Sequence, residues 1–347
     1  LGRSAGTRWL SDKACADYAK ALRGGAARWR VLRVPNVRHA RLTDIVDFVG
    51  ADMRHLRHLS LYAERPTAPL FANTALSQRF ANALRALARR EVPLEVLDLR
   101  GHNVASSPCA ARASCYDAIA QLPQLRTLRI THSASSTVNV PARSFQDTDV
   151  RALARCTALT ALQLSADTSM YCTRALAYVV ARCTALRTLD IGGADLVSLG
   201  ADDDDAGGDG SGGGRATVVV EQPAQHNVAL LAAALGACTS LRTLVLDDCR
   251  VGSGDVFHLL CRDGTPAALA ELHTLSLNRA RVDAAADGFA AHVAAFCAAL
   301  PSLQTLLVEA VDAPAAALSA ARLVTALAPC YDKALRHVHV CANTDLN

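Results

Sequence analysis

One six-residue pattern recurs along this 347-residue chain and limits its fold more than any other feature: Leu-x-x-Leu-x-Leu, with Val or Ile accepted at the last place. It starts at Leu56, Leu94, Leu125, Leu159, Leu186, Leu241, Leu272, Leu303 and Leu335, with a weaker copy at Trp29. Successive starts lie 27, 38, 31, 34, 27, 55, 31, 31 and 32 residues apart. A spacing in this range marks a stacked array of similar units rather than a domain with one irregular centre. The alternation at the end of the pattern puts two apolar side chains on one face of a short strand. Thr at the third place (Thr127, Thr188, Thr243, Thr274, Thr305) adds β preference.

Between the patterns lie Ala- and Leu-rich stretches such as Phe80 to Arg90, Asp149 to Cys156, Thr173 to Cys183 and Val228 to Cys238. Their apolar residues recur at three- and four-residue spacing, as one buried helix face requires. Each unit therefore reads as strand, turn, helix and return loop. Composition agrees. Hydrophobic residues reach 51% while aromatics stay at 4%, so the core must be built from Leu, Val and Ala in small, similar layers.

This alternation resembles the leucine-rich-repeat family, and the longer units with a full helix resemble its ribonuclease-inhibitor-like branch. The resemblance covers about Trp29 to Val340. It implies an α/β solenoid, a horseshoe with a parallel sheet on the concave side and helices on the convex side. About ten units are expected over residues 29–347, behind an N-terminal helical cap at 1–28 in which Ser11 to Leu22 reads as helix. The family often carries Asn or Cys three residues after the last Leu, bonding to turn backbone. Here those places hold Glu64, His102, Ser133, Asp167, Ala194, Cys249, Ala280, Val311 and Asn343, so irregular units with heterogeneous turns are expected.

The 55-residue step between Leu186 and Leu241 contains ADDDDAGGDGSGGG at 201–214. Gly, Ser and like-charged Asp cannot bury apolar area, so residues 200–215 read as a solvated acidic insertion. The cluster lacks the spacing of an EF-hand and is not read as a calcium site. Twelve cysteines are spread along the whole chain, unlike a short disulfide scaffold, and point to reduced, mostly buried thiols. Cys156, Cys183 and Cys238 each sit three residues before a pattern Leu, as small apolar residues at a helix end.

Net charge is +4 with 20% charged residues, too mild to argue for nucleic acid. No apolar run approaches the roughly 20 residues needed to span a bilayer. A cytoplasmic location is expected, with an organellar one as the alternative suggested by the Arg-rich N-terminus. The chain starts at Leu1 rather than Met, so it reads as trimmed or incomplete.

Strand geometry turns the fifth and seventh places of each pattern toward the concave side. The candidate partner-binding residues read there are Arg33, Tyr62, Asp98, Arg100, Arg129, Asp190, Asp247 and Glu309. The N-terminal half of this face is basic and the C-terminal half neutral to acidic. Tyr62, Arg100 and Arg129 are the expected anchors, because Tyr and Arg are enriched where interfaces carry their energy. His337, His339 and Cys341 alternate on the last strand and form a weak candidate zinc site that lacks a fourth ligand.

Motifs for phosphate loops, nucleophile elbows, dinucleotide binding or zinc hydrolysis are absent from the sequence, and no cofactor is expected. The reading is a non-catalytic module for a protein partner, acting as a monomer or as a subunit of a larger complex. The resemblance also implies three alternatives. One is a substrate receptor of a ubiquitin ligase, whose F-box is not seen in residues 1 to 28. The others are a GTPase activator of Ran-like type and a structural subunit of a large assembly.

Overall fold

The computed structural model describes residues 28–34, 49, 53–61, 74–100, 109–132, 147–166, 173–194, 196, 223–252, 255–261, 265–282, 288–309, 320–331 and 333–341. Residues 1–27 of the cap expected at 1–28, Tyr62 and the acidic insertion expected at 200–215 lie outside them.

Every pattern becomes a strand, and two further short strands lie outside the patterns. In chain order the strands are β1 (Val31–Arg33), β2 (His58–Ser60), β3 (Val96–Asp98), β4 (Thr127–His132), β5 (Ala161–Ala166), β6 (Thr188–Asp190) and β7 (Thr243–Val245), then β8 (Arg250–Gly252), β9 (Thr274–Ser276), β10 (Arg281–Val282), β11 (Thr305–Glu309) and β12 (His337–Cys341), of which β8 and β10 are the two outside the patterns. Ten of them form one sheet in the order β1-β2-β3-β4-β5-β6-β7-β9-β11-β12, while β8 and β10 pair separately. All pairings are parallel.

Helices carry the chain back: α1 (Thr74–Arg89), α2 (Cys109–Ile119), α3 (Asp147–Ala152), α4 (Thr173–Arg182), α5 (Pro223–Gly236), α6 (Asp255–Cys261), α7 (Thr265–Ala268), α8 (Phe289–Ala299) and α9 (Ala320–Tyr331). Neighbouring helices pack side by side outside the sheet, as α4 does on α5 and α1 on α2. The four helical stretches read from the sequence are met within a few residues at their ends, except that α1 starts earlier at Thr74 and α5 at Pro223, and a short 3₁₀ turn, Leu153–Arg155, closes α3.

The register explains why leucine is repeated. Leu32, Leu59, Leu97, Leu128, Leu162, Leu189, Leu244, Leu275 and Leu306 stand opposite one another across the sheet and are all buried. Each buried side chain of this size contributes about 1.5–3 kcal/mol relative to exposure. A one-residue slip would turn the whole column outward, so the pattern fixes the register.

A second column runs just before the strands. Arg30, Arg57, Glu95, Arg126, Thr160, Arg187, Arg242, His273, Gln304 and Arg336 are linked in that order, each N–H donating to the carbonyl of the residue before it at 2.7–2.9 Å. The alignment of units is thus continuous from the first described strand to the last, across the 55-residue step.

The described turns after β6, β7 and β9 are alike. Gly193, Asp248 and Arg279 all take a left-handed conformation, with φ of 79°, 60° and 54°. Their N–H groups donate to Asp247 O, Asn278 O and Glu309 O of the next unit. The following Ala194, Cys249 and Ala280 are buried. Backbone bonds from Arg250 N to Ala194 O and from Arg281 N to Cys249 O continue the stack. A main-chain ladder stands at these turns in place of the side-chain ladder that the family often carries, and the ninth place need only be small. Cys249 adds its thiol, which donates to Ile191 O at 3.3 Å.

Candidate functional site

The concave face is one register column with its neighbours. Arg33, Ser60, Asp98, Arg129, Gln163, Asp190, Val245, Ser276, Leu307 and His339 stand side by side, one per strand. Adjacent strands in such a sheet lie about 4.8 Å apart. The predicted face is therefore a continuous surface, and its two halves are built differently.

In the N-terminal half the centre is a carboxylate beneath cations. Asp98 is only 3% exposed. Arg100 forks onto it, with Nε donating to Oδ1 at 3.0 Å and Nη2 to Oδ2 at 2.8 Å. The Arg100 backbone N–H reaches Oδ1 at 3.2 Å, and Arg129 Nη1 lies 3.8 Å from Oδ2. Burial opposes ionisation of Asp98, but the hydrogen bonds and charge of Arg100, joined by Arg129, hold its pKa below the usual carboxylate range. Asp98, one of the candidate partner-binding residues, lies under the arginines and positions Arg100.

Arg33 is exposed beside this pair, and His58 lies between them. Burial lowers the His58 pKa, the charges of Arg33 and Arg129 lower it further, and Asp98 opposes them. The imidazole is thus held toward its neutral form. His58 was missed by a reading confined to fifth and seventh places. It occupies a third place, which alternation puts on the same face.

In the C-terminal half the carboxylates are outermost and uncharged groups satisfy them. The Ser276 hydroxyl donates to Asp247 Oδ1 at 2.6 Å, and the Asn278 N–H donates to the same oxygen at 2.9 Å. Asn278 Oδ1 in turn accepts from the Glu309 N–H at 3.0 Å. Glu309 Oε1 lies 2.9 Å from His339 Nε2. Asp190 stands at the junction of the halves. Burial raises its pKa and Asp247 adds to the rise, against the Gly192 N–H and the Gln163 side chain.

The weak zinc candidate is not assembled: no group of three His, Cys, Asp or Glu able to hold a metal occurs among the described residues. His339 is engaged by Glu309, and His337 stands opposite Thr305. Among the described residues no helix is long and apolar enough to cross a membrane.

The cysteines form a stack inside the array. Cys183 donates to Cys156 O at 3.5 Å, and Cys238 donates to Val180 O at 3.5 Å. Burial pushes the Cys156 and Cys183 thiols up to about 12 and the Cys238 thiol to about 11. Such thiols are poor nucleophiles at neutral pH and serve as packing.

No protein-family model matches the chain, and no curated protein matches it. Among solved structures it is similar to a chain of a TLR13–ssRNA13 complex, with a TM-score of 0.46 and 10% identity over 92% of this chain and 33% of that one. It thus spans about a third of that chain's length. It is also similar to an internalin of Listeria monocytogenes, with a TM-score of 0.31 and 13% identity over 99% of this chain and all of that one. The architecture rests on the chain's own register: ten leucine-pattern strands in a single parallel sheet with helices between them make it a leucine-rich-repeat solenoid.

Proposed function

We propose that this solenoid is a non-catalytic interaction module that holds a protein partner on its concave face. The reading rests on one observation. The register column and the places two residues beyond it carry arginines toward the N-terminal end, where the buried Asp98 holds Arg100 and faces Arg129, and acceptors toward the C-terminal end around Asp247 and Glu309. A face graded in this way fits an extended partner segment of opposite gradient, because complementary charge sets register and on-rate. Arg33, Arg100 and Arg129 offer the cations, and Asp190, Asp247 and Glu309 the acceptors. The anchor role of Tyr62 rests on sequence alone.

Full helices such as the 16-residue α1 and the 14-residue α5 support placement in the ribonuclease-inhibitor-like branch. Buried thiols with raised pKa, spread through the array rather than paired as a scaffold, fit a reducing compartment such as the cytoplasm. Substrate-receptor, Ran-type activator and assembly-subunit roles are the alternative readings, distinguished by which protein is held and by whether GTP hydrolysis is stimulated.

The test is affinity purification with mass spectrometry on the wild type and on an Arg33→Ala/Arg129→Ala variant. These two arginines are chosen because neither makes the bidentate bond to Asp98. A partner enriched on the wild type and reduced at least tenfold on the variant is the expected result. A partner captured equally by both places the site elsewhere.

A further inference from the structure

The edge where helices lead into strands carries a second surface, separate from the concave face. Six of the ten residues in the backbone-linked column before the strands are arginine: Arg30, Arg57, Arg126, Arg187, Arg242 and Arg336. All six are exposed. Arg57 pairs with Glu95 at 2.9 Å and Arg242 with Glu271 at 3.3 Å. Arg30, Arg126, Arg187 and Arg336 make no ion pair among the described residues.

The order along the column matters. Arg30 bonds directly to Arg57 through the backbone, and Arg187 to Arg242. Their Cα atoms are therefore about one strand spacing, ~4.8 Å, apart. Like charges directly opposite one another on neighbouring strands destabilise a sheet. A column shaped by stability alone would alternate in sign. This one gathers cations over the length of the sheet, and an external polyanion would relieve their repulsion.

The chemistry of the column distinguishes between polyanions. The column itself contains no Phe, Tyr or Trp, and the exposed Trp29 flanks it only beside Arg30, so successive bases along its length would find no continuous aromatic platform. Glu95 interrupts the positive charge between Arg57 and Arg126. A uniformly charged phosphate backbone would meet that carboxylate unfavourably, whereas a polypeptide can set a neutral or basic residue there. Arginine forks also match carboxylates in bidentate fashion.

We propose that this arginine edge is a docking surface for an extended acidic polypeptide segment, bound independently of the concave partner.

The test measures fluorescence anisotropy of a labelled poly-L-glutamate of about 20 residues and of a labelled oligo-dT of equal charge. Four proteins are compared: the wild type, an edge variant (Arg126→Ala/Arg187→Ala/Arg242→Ala), a charge-matched helix variant (Arg79→Ala/Arg174→Ala/Arg322→Ala) and the concave variant Arg33→Ala/Arg129→Ala. Circular dichroism melts confirm that each is folded. Wild type is expected to bind poly-L-glutamate, the edge variant at least tenfold more weakly, and the other two within threefold of wild type. Absence of poly-L-glutamate binding overturns the proposal. So does an equal loss in the helix variant, which would mean diffuse attraction. A larger loss in the concave variant assigns acidic peptides to the concave face, and tighter binding of oligo-dT assigns the edge to nucleic acid. Equal capture of a partner by wild type and the concave variant, with the edge binding intact, would count against the concave reading alone.

Discussion

Asp98 and Asp190 occupy the same place in the same pattern, three strands apart in one register column, yet their environments drive their acidity in opposite directions. Both accept from the backbone N–H two residues on, Arg100 at 3.2 Å and Gly192 at 3.0 Å. Burial penalises the charge of both. The difference is the side chain at the seventh place. Arg100 folds back and forks onto Asp98, whereas Gly192 has nothing to offer and Asp190 faces Asp247 instead. The sign of each half of the concave face follows. Where an arginine covers the carboxylate the surface is basic; where none does, the carboxylates themselves are presented.

The most damaging way to break this contrast is to remove the arginine and leave the acid. Arg100→Ala would strand Asp98 in its buried place with Arg129 at 3.8 Å as the remaining cation. A loss of about 2–3 kcal/mol is expected, reduced from the fully buried case because Arg100 is itself partly exposed. Asp98→Asn should cost less, about 1–2 kcal/mol, since the freed arginines can turn to water. In the C-terminal half, Asp247→Ala removes an acceptor from a hydroxyl and an N–H and should cost about 1 kcal/mol. Urea unfolding midpoints order the three. An Arg100→Ala loss no larger than that of Asp247→Ala would show that the two halves are not built on different principles.

Titration sharpens the same comparison. The folded-state pKa of Asp98 is lowered, so its stabilisation is present above the unfolded carboxylate pKa and is lost as pH falls through the folded value. The pKa of Asp190 is raised, so the folded state takes up a proton first, and stability gains from that site as pH falls toward the unfolded value. Asp98→Asn should flatten the acid limb of the stability profile, and Asp190→Asn should steepen it. Unfolding free energies measured from neutral pH into the acid range, for wild type and both variants, decide this; matching profiles for the two variants would refute it.

How much of this was legible follows from which residues act alone and which act through neighbours. The leucine columns were readable because a buried strand place accepts only a narrow range of side chains, and the period repeats that demand. Regular turns at Gly193, Asp248 and Arg279 were not, because main-chain bonds form them and the sequence there has only to be small or tolerant. Asp98 and Arg100 stand at the fifth and seventh places of one pattern and form one device, which the places taken singly do not show. Adjacency at i and i+2 on a strand was the available signal. Residues before the strands were passed over because no single arginine there is unusual; only the register sets them in a row.

Alkali probes the array's interior rather than its face. Folding raises the Cys156, Cys183 and Cys249 thiols from 9.0 to about 12. Their stabilising share is complete below the unfolded pKa and is lost as pH rises from about 9 toward 12. The melting temperature should fall over that window, and a Cys156→Ala/Cys183→Ala variant should fall less steeply, whatever its starting stability. Thiol-reactive dye should label these positions on the unfolding timescale only.

The smallest effects belong to the edge. Arg57–Glu95 lies in the N-terminal half and Arg242–Glu271 in the C-terminal half, and both arginines are 54% exposed. Exposed pairs of this kind are typically worth about 0–1 kcal/mol, because water screens the attraction and two long side chains must be held still. Arg57→Ala and Arg242→Ala should therefore each shift stability by no more than about 0.5 kcal/mol, and by similar amounts, even though the concave halves beside them differ severalfold in their response. Matched denaturation curves can resolve this. A shift above about 1 kcal/mol in either variant would make that pair a structural clamp. A small, equal response in both leaves the edge arginines structurally dispensable along the whole array, in contrast to Arg100, whose place is set by the acid beneath it.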